Sequence, residues 1–137
     1  MIARINHEPI EILVAEDEST DILFVQRAFK HTNYRANLNI VPNGEELMAY
    51  LRKEKDYKDK PTPDLILMDI NMPRKNGHEA LQEIKHDEVL KSIPVIMLSG
   101  SNANADIMKS YQNYANAYMP KSANFDEMET FVKAIED

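Results

Sequence analysis

The chain reads as a single α/β domain: a (βα)5 doubly wound sheet of parallel strands in the order 2-1-3-4-5. Three observations predict this. Short apolar runs alternate with segments of helical periodicity from about Ile10 to Ile135. The longer runs are apolar almost throughout, which suits strands covered by helices on both faces. Finally, 137 residues with 43% hydrophobic and 28% charged side chains are enough for one core. Right-handed crossovers then make 2-1-3-4-5 the natural order.

The elements follow in turn. Ile10-Glu11-Ile12-Leu13-Val14-Ala15 is a first strand rich in β-branched residues. Ser19-Thr20-Asp21 offers N-cap chemistry for a helix through about Thr32, with Ile22, Val25 and Phe29 on one face. Leu38–Val41 is a short second strand. Pro42-Asn43-Gly44 reads as a turn before a helix carrying Leu47, Met48 and Leu51. Glu54–Pro63 is polar, longer than a compact α/β unit needs, and reads as a surface insertion. The third strand runs through Asp64-Leu65-Ile66-Leu67-Met68-Asp69. Pro73 then stops the ladder, and Lys75-Asn76-Gly77 has turn chemistry. Asn76 can cap a helix containing Ala80, Leu81 and Ile84. Ile93–Leu98 is the fourth strand, ending at Ser99-Gly100-Ser101. A helix is expected over Asp106–Tyr114, and Ala117-Tyr118-Met119 is a short fifth strand ending at Pro120-Lys121. Phe125, Met128, Phe131, Val132 and Ile135 outline a final amphipathic helix.

Composition narrows the function. The net charge of −7 does not indicate a nucleic-acid surface. Arg52–Lys60 looks basic, but Glu54, Asp56 and Asp59 interrupt it, so it reads as a solvated helix end and loop. The lack of Cys excludes disulfides, thiolate metal sites and cysteine nucleophiles, and agrees with a reducing cytoplasm. Met1–Pro9 lacks the apolar core of a signal peptide, and no apolar run approaches membrane-spanning length. A cytoplasmic location without membrane insertion is therefore expected. The methionines read as core gap-fillers, and His7, His31, His78 and His86 are assigned no role.

The topology gathers chemistry at one edge. In open parallel sheets, ligands bind at the carboxyl ends of the strands. Here strand 1 delivers Glu16, Asp17 and Glu18, strand 3 Asp69 and then Asn71, strand 4 Ser99, and strand 5 Lys121. Each has an ordinary explanation taken singly. The acidic triplet favours the start of a helix, Ser99-Gly100-Ser101 makes a cap and turn, and a lysine is usually on the surface. Taken together, the carboxylates repel one another unless a hard cation such as Mg2+ resolves them. A cation, a lysine, a hydroxyl and a carboxylate nucleophile are the parts phosphoryl transfer needs.

These residues resemble the receiver domain of two-component response regulators. Glu16-Asp17 is similar to the family's acidic pair and Asp69 to its phosphoacceptor. Ser99 resembles the switch hydroxyl, Tyr118 the switch aromatic and Lys121 the invariant lysine, while Met72-Pro73 with Gly77 matches the loop that follows the phosphoacceptor. The resemblance spans about Ile10–Ile135 and implies a flavodoxin-like fold. It also implies one receiver domain over residues 1–137, with no effector domain and no enzymatic turnover of a substrate beyond self-phosphorylation and self-dephosphorylation. It further implies a sensor histidine kinase as partner and transfer of its phosphoryl group onto Asp69. Mg2+ would be held by Asp17, Asp69 and the Asn71 carbonyl, with Glu16 in support. Ser99 and Tyr118 would then shift the face formed by the Asp106–Tyr114 helix (helix 4), strand 5 and the final amphipathic helix (helix 5) for partner binding or homodimer formation, and the Asn71 and Ser101 side chains would tune dephosphorylation. The polar segment before strand 3 and Lys121-Ser122-Ala123-Asn124 look most like the small regulators paired with phytochrome-type kinases. Two departures stand out. Ser122 follows Lys121 where the family commonly has Pro with a cis bond, and Glu16 stands where many members have Asp.

Two rivals share the topology. A flavin mononucleotide protein needs a phosphate loop after strand 1, where three carboxylates would repel the phosphate. A phosphatase of the haloacid dehalogenase type would need an acid two residues beyond its nucleophile, where this chain has Asn71. A receiver-like binding module that no longer accepts phosphate would have no need for Asp17, Asp69, Ser99 and Lys121 together.

Overall fold

Apolar runs this continuous can hide both faces only inside a layered structure, and the fold does this. The structure, a computed structural model, describes residues 9–31, 35–99, 117–120 and 130. Within these, β1 (Ile10–Ala15), α1 (Ser19–His31), β2 (Ala36–Val41), α2 (Gly44–Leu51), a 3-10 turn (Lys55–Tyr57), β3 (Leu65–Asp69), α3 (Gly77–Lys85), β4 (Val95–Ser99) and β5 (Ala117–Pro120) follow one another. The five strands are parallel in the order β2-β1-β3-β4-β5. The expected Asp106–Tyr114 helix and the final amphipathic helix fall outside the described residues, except that Thr130 is helical. The Lys121-Ser122 bond also falls outside them.

The strand period of two sorts the core into two layers. Leu13, Ala15, Ile66, Met68, Val95 and Met97 meet Leu47, Met48, Leu51, Leu81 and Ile84 of α2 and α3. Ile12, Val14, Leu65, Leu67, Ile96, Leu98 and Met119 face the other way, onto Val25, Ala28 and Phe29 of α1. All five β3 residues are buried, as expected of the middle strand of a doubly covered sheet.

Several boundaries differ from the sequence reading for local reasons. β2 starts two residues early because pairing with β1 continues to Ile10↔Ala36, where the ladder, not burial, holds the polar Asn37. β4 starts at Val95: the Ile93 amide donates to Leu90 O in a turn at 3.0 Å, and Pro94 has no amide to give. β5 extends to Pro120. Ser19, Thr20 and Asp21 lie inside the first turn of α1 rather than capping it, with the Ile22 amide donating to Glu18 O at 3.0 Å. Gly44 and Gly77, read as turn residues, are each the first residue of a helix. Asn43 caps α2, accepting from the Glu46 amide at 2.9 Å. Asn76 caps α3, as the sequence suggested, and the structure adds a reciprocal capping box with Glu79. α2 ends in a Schellman pattern: the Lys53 amide donates to Tyr50 O and the Glu54 amide to Ala49 O. Lys53 takes the left-handed conformation there (φ 56°), where glycine is usual.

The insertion after α2 is exposed apart from half-buried Tyr57 and buried Pro63. The Tyr57 ring packs against the core and lies 5.2 Å from that of Tyr50. Its hydroxyl donates to Glu46 Oε1 at 2.8 Å, while Lys55 Nζ reaches Glu46 Oε2 at 3.1 Å. Both contacts hold the Glu46 carboxyl below its ordinary value, the Tyr57 hydrogen bond most strongly. Burial first, then the bond to Glu46, pushes Tyr57 up to about 12. At the far end of α3, Lys85 Nζ donates to the carbonyls of Lys91 and Ile93, each at 3.1 Å, and burial lowers its ammonium group's pKa.

Candidate metal centre at the carboxyl edge of the sheet

Strand register decides which polar residues meet. Ala15 pairs with Met68, so the residues immediately after them, Glu16 and Asp69, emerge side by side. Both are buried, at 1% and 2% exposure, whereas Asp17 is exposed. One carboxylate oxygen from each of Glu16, Asp17 and Asp69 lies within 4.8 Å of the other two. Of the four acidic residues expected at this edge from strands 1 and 3, Glu16, Asp17 and Asp69 are therefore together, and Glu18 is not in the cluster.

Local hydrogen bonds set how each is presented. The Glu16 amide continues the sheet, donating to Val41 O at 3.0 Å. Its side chain folds over the start of α1, where Oε1 accepts from the amides of Asp17 (3.1 Å) and Glu18 (3.2 Å). The helix-start explanation of the acidic triplet is thus satisfied by Glu16, and it coexists with the cluster. Oδ1 of Asp69 accepts from the Asn71 amide at 3.1 Å. Ile70 prolongs the pairing with β4, its amide donating to Leu98 O, and its own carbonyl accepts from Gly77 at 2.9 Å. Close approach requires glycine at Gly77: a Cβ there would lie 2.5 Å from Asp69 O and 2.8 Å from Ile70 Cα. Expected as a turn residue, Gly77 has the larger effect of letting α3 start directly against the end of β3.

The remaining predicted residues are placed by backbone. Asp69 pairs with Leu98 and Ser99 with Pro120. Ser99 therefore sits one position beyond the Asp69 level on the neighbouring strand, at the same edge. Tyr118 pairs with Met97. The side chains of Ser99 and Tyr118, and all of Lys121, lie outside the described residues. Asn71 is exposed in the loop after Asp69. His78 is buried on α3 and His86 forms its C-cap; neither is in the carboxylate cluster.

The donor set fits a hard divalent cation. Three carboxylates in one small space favour a counter-charge, and Mg2+ takes one or a few carboxylates and completes its shell with water. Exposed Asp17 leaves the solvent side accessible for such waters.

Comparison with known proteins agrees with this architecture. Residues 12–133 match the family model described as response regulator receiver domain. The chain is 37% identical over 131 residues to response regulator Rcp1 of Synechocystis sp. strain PCC 6803, covering 96% of this chain and 89% of that protein. Among solved structures it is similar to the phosphorylated cyanobacterial phytochrome response regulator RcpA. That match has a TM-score of 0.82 and 42% identity, over 93% of this chain and 91% of the other. It is also similar to the Mn2+-bound form of Rcp1, with a TM-score of 0.81 and 38% identity over 93% and 91% of the two chains. Sheet order and matched span point the same way: this chain belongs to the response regulator receiver domain family, whose members act in two-component phosphorelay signalling.

Proposed function

We propose that this chain accepts a phosphoryl group on Asp69 from a phosphohistidine of a sensor histidine kinase, one of the phytochrome type. The observation that carries this is the convergence of Glu16, Asp17 and Asp69 within 4.8 Å at the carboxyl edge. An Asp69 carboxylate oxygen attacks phosphorus, the P–N bond breaks, and the imidazole leaves to be reprotonated from solvent. Glu16, Asp17, Asp69 and the carbonyl of Asn71 would hold Mg2+, which when bound offsets charge on the phosphoryl oxygens. The Asn71 amide orients Oδ1 of Asp69, so the nucleophile is set before the donor arrives. Lys121 balances the remaining charge, Ser99 moves toward the phosphate, and Tyr118 turns inward behind it.

The single receiver domain spans the chain. Its output surface is helix 4, β5 and helix 5, used for partner binding or homodimer formation as a population shift between two states. Self-phosphorylation from small donors and self-dephosphorylation are its own chemistry, with the Asn71 and Ser101 side chains tuning the latter. A cytoplasmic location is in keeping with the absence, among the described residues, of a helix long and apolar enough to cross a membrane. The similarity to RcpA and Rcp1 supports the phytochrome-type partner.

The test is mass spectrometry after incubation with acetyl phosphate and Mg2+. One added phosphoryl group is expected on the parent chain and none on Asp69→Asn. An unchanged parent mass, with Mg2+ binding confirmed, overturns the reading.

A further inference from the structure

The loop that carries Asn71 is gripped from a place the sequence reading treated as an ordinary turn. Gly44, the first residue of α2, donates its amide to Lys75 O at 3.1 Å. A Cβ on Gly44 would overlap that carbonyl oxygen, and would lie 2.8 Å from Lys75 Cβ and 2.9 Å from Lys75 C. Most of that obstruction is backbone, which cannot swing aside as a side-chain end can. Gly44 does not have positive φ, so glycine is required here for close approach and not for its conformational range.

The loop is also held at its far end and through two side chains. Gly77 is fixed by its bond to Ile70 O and by its tight approach to Asp69 O. Lys75 Nζ is paired with Glu83 of α3. Arg74, in the left-handed region at φ 66°, faces Glu45 of α2 at 3.5 Å. With Gly77 held, displacement of the Lys75 backbone has a path back along the loop to Asn71, whose amide holds Oδ1 of Asp69.

We infer that Gly44 is a positioning residue for the phosphoacceptor site: by admitting the Lys75 backbone against the start of α2, it fixes the Asn71–Lys75 segment and with it the Asp69 carboxylate. This rests on the reading of Asp69 as phosphoacceptor. The effect runs through α2, outside the carboxylate cluster, and gives this helix a part in setting cation affinity and phosphorylation rate.

The test uses the full chain and two variants, Gly44→Ala and Ile84→Val, the latter a core change on α3 that serves as a stability control. Mn2+ alone is titrated by electron paramagnetic resonance, and phosphorylation by acetyl phosphate is timed at saturating Mg2+. Gly44→Ala is expected to weaken Mn2+ binding and slow phosphorylation by about tenfold, as small misplacements of a reacting group do, while Ile84→Val keeps both near the parent values. Parent-like behaviour of Gly44→Ala overturns the inference, as do equal losses in the two variants. Should Gly44→Ala fail to fold, amide hydrogen exchange in the parent decides. Slower exchange of the Gly44 amide on adding Mg2+ supports the coupling, and an unchanged rate overturns it. A parent that binds no Mn2+ and takes no phosphate instead overturns the phosphoacceptor reading, and this inference falls with it.

Discussion

The amide of Asn71 donates to Oδ1 of Asp69 at 3.1 Å. A buried carboxylate at the last position of the central strand is thereby tied to the loop that follows it, two residues on. With Glu16 Oε1 likewise tied to the amides of Asp17 and Glu18, two of the three clustered carboxylates are oriented by neighbouring backbone.

That arrangement makes the cluster costly without a cation and stabilising with one. Asp17→Asn is expected to raise the thermal midpoint in chelator-treated buffer by relieving like-charge repulsion, and to weaken Mn2+ binding about tenfold, or ~1.4 kcal/mol. In the parent, Mg2+ at about 100 times its Kd should add about 2.7 kcal/mol of stability. Calorimetric scans with and without Mg2+ check both signs; a midpoint indifferent to Mg2+ would count against the cluster as a cation site.

The Tyr57–Glu46 bond links the insertion to α2 and should show in the pH dependence of folding. Glu46 has its ordinary value of 4.5 lowered on folding, so its contribution is present above about pH 4.5 and fades as pH falls through the depressed folded value. Tyr57 is raised from 10.0 to about 12, so its contribution is present below pH 10 and fades as pH climbs toward 12. Tyr57→Phe should therefore cost about 1 kcal/mol near neutrality, with the gap to the parent narrowing at both extremes. Urea titrations across pH measure it, and a gap constant with pH would be inconsistent with this coupling.

Asn76 serves α3 from outside the helix, accepting from the Glu79 amide at 2.9 Å. Asn76→Ala should cost about 1 kcal/mol. The urea midpoint should fall while the slope of the unfolding transition stays unchanged.

Leu67 is fully buried at the centre of β3, level with Val14 on one side and Ile96 on the other. Leu67→Ala leaves a cavity between sheet and α1 and should cost about 2–5 kcal/mol. Chemical denaturation gives the value directly, and a loss below 1 kcal/mol would mean that this layer collapses around the gap.

Much of the fold was legible because it depends on local regularities. Ile10–Ala15 and Leu65–Met68 are apolar enough to be strands wherever they sit, and Asn76 ahead of Ala80, Leu81 and Ile84 is cap chemistry before a helical face. The identity of the clustered acids was legible for the same reason: each stands at or just after a recognisable strand end. Boundaries set by partners were less so. β2 reaches back to Ala36 only because β1 is there to pair with it, and Tyr57 reads as part of a polar insertion until Glu46 and Tyr50 are seen beside it.

Among the described residues, the sequence by itself determined the types of the main elements, the order of the strands and which carboxylates end them, since periodicity, capping and chain connectivity are properties of neighbours along the chain. Tertiary structure decided how those ends meet. The Ala15↔Met68 register put Glu16 beside Asp69, and the approach of Lys75 to Gly44 required a glycine that no local conformation demands. Such close approaches join residues far apart in sequence, and their distances exist only once the two segments are packed.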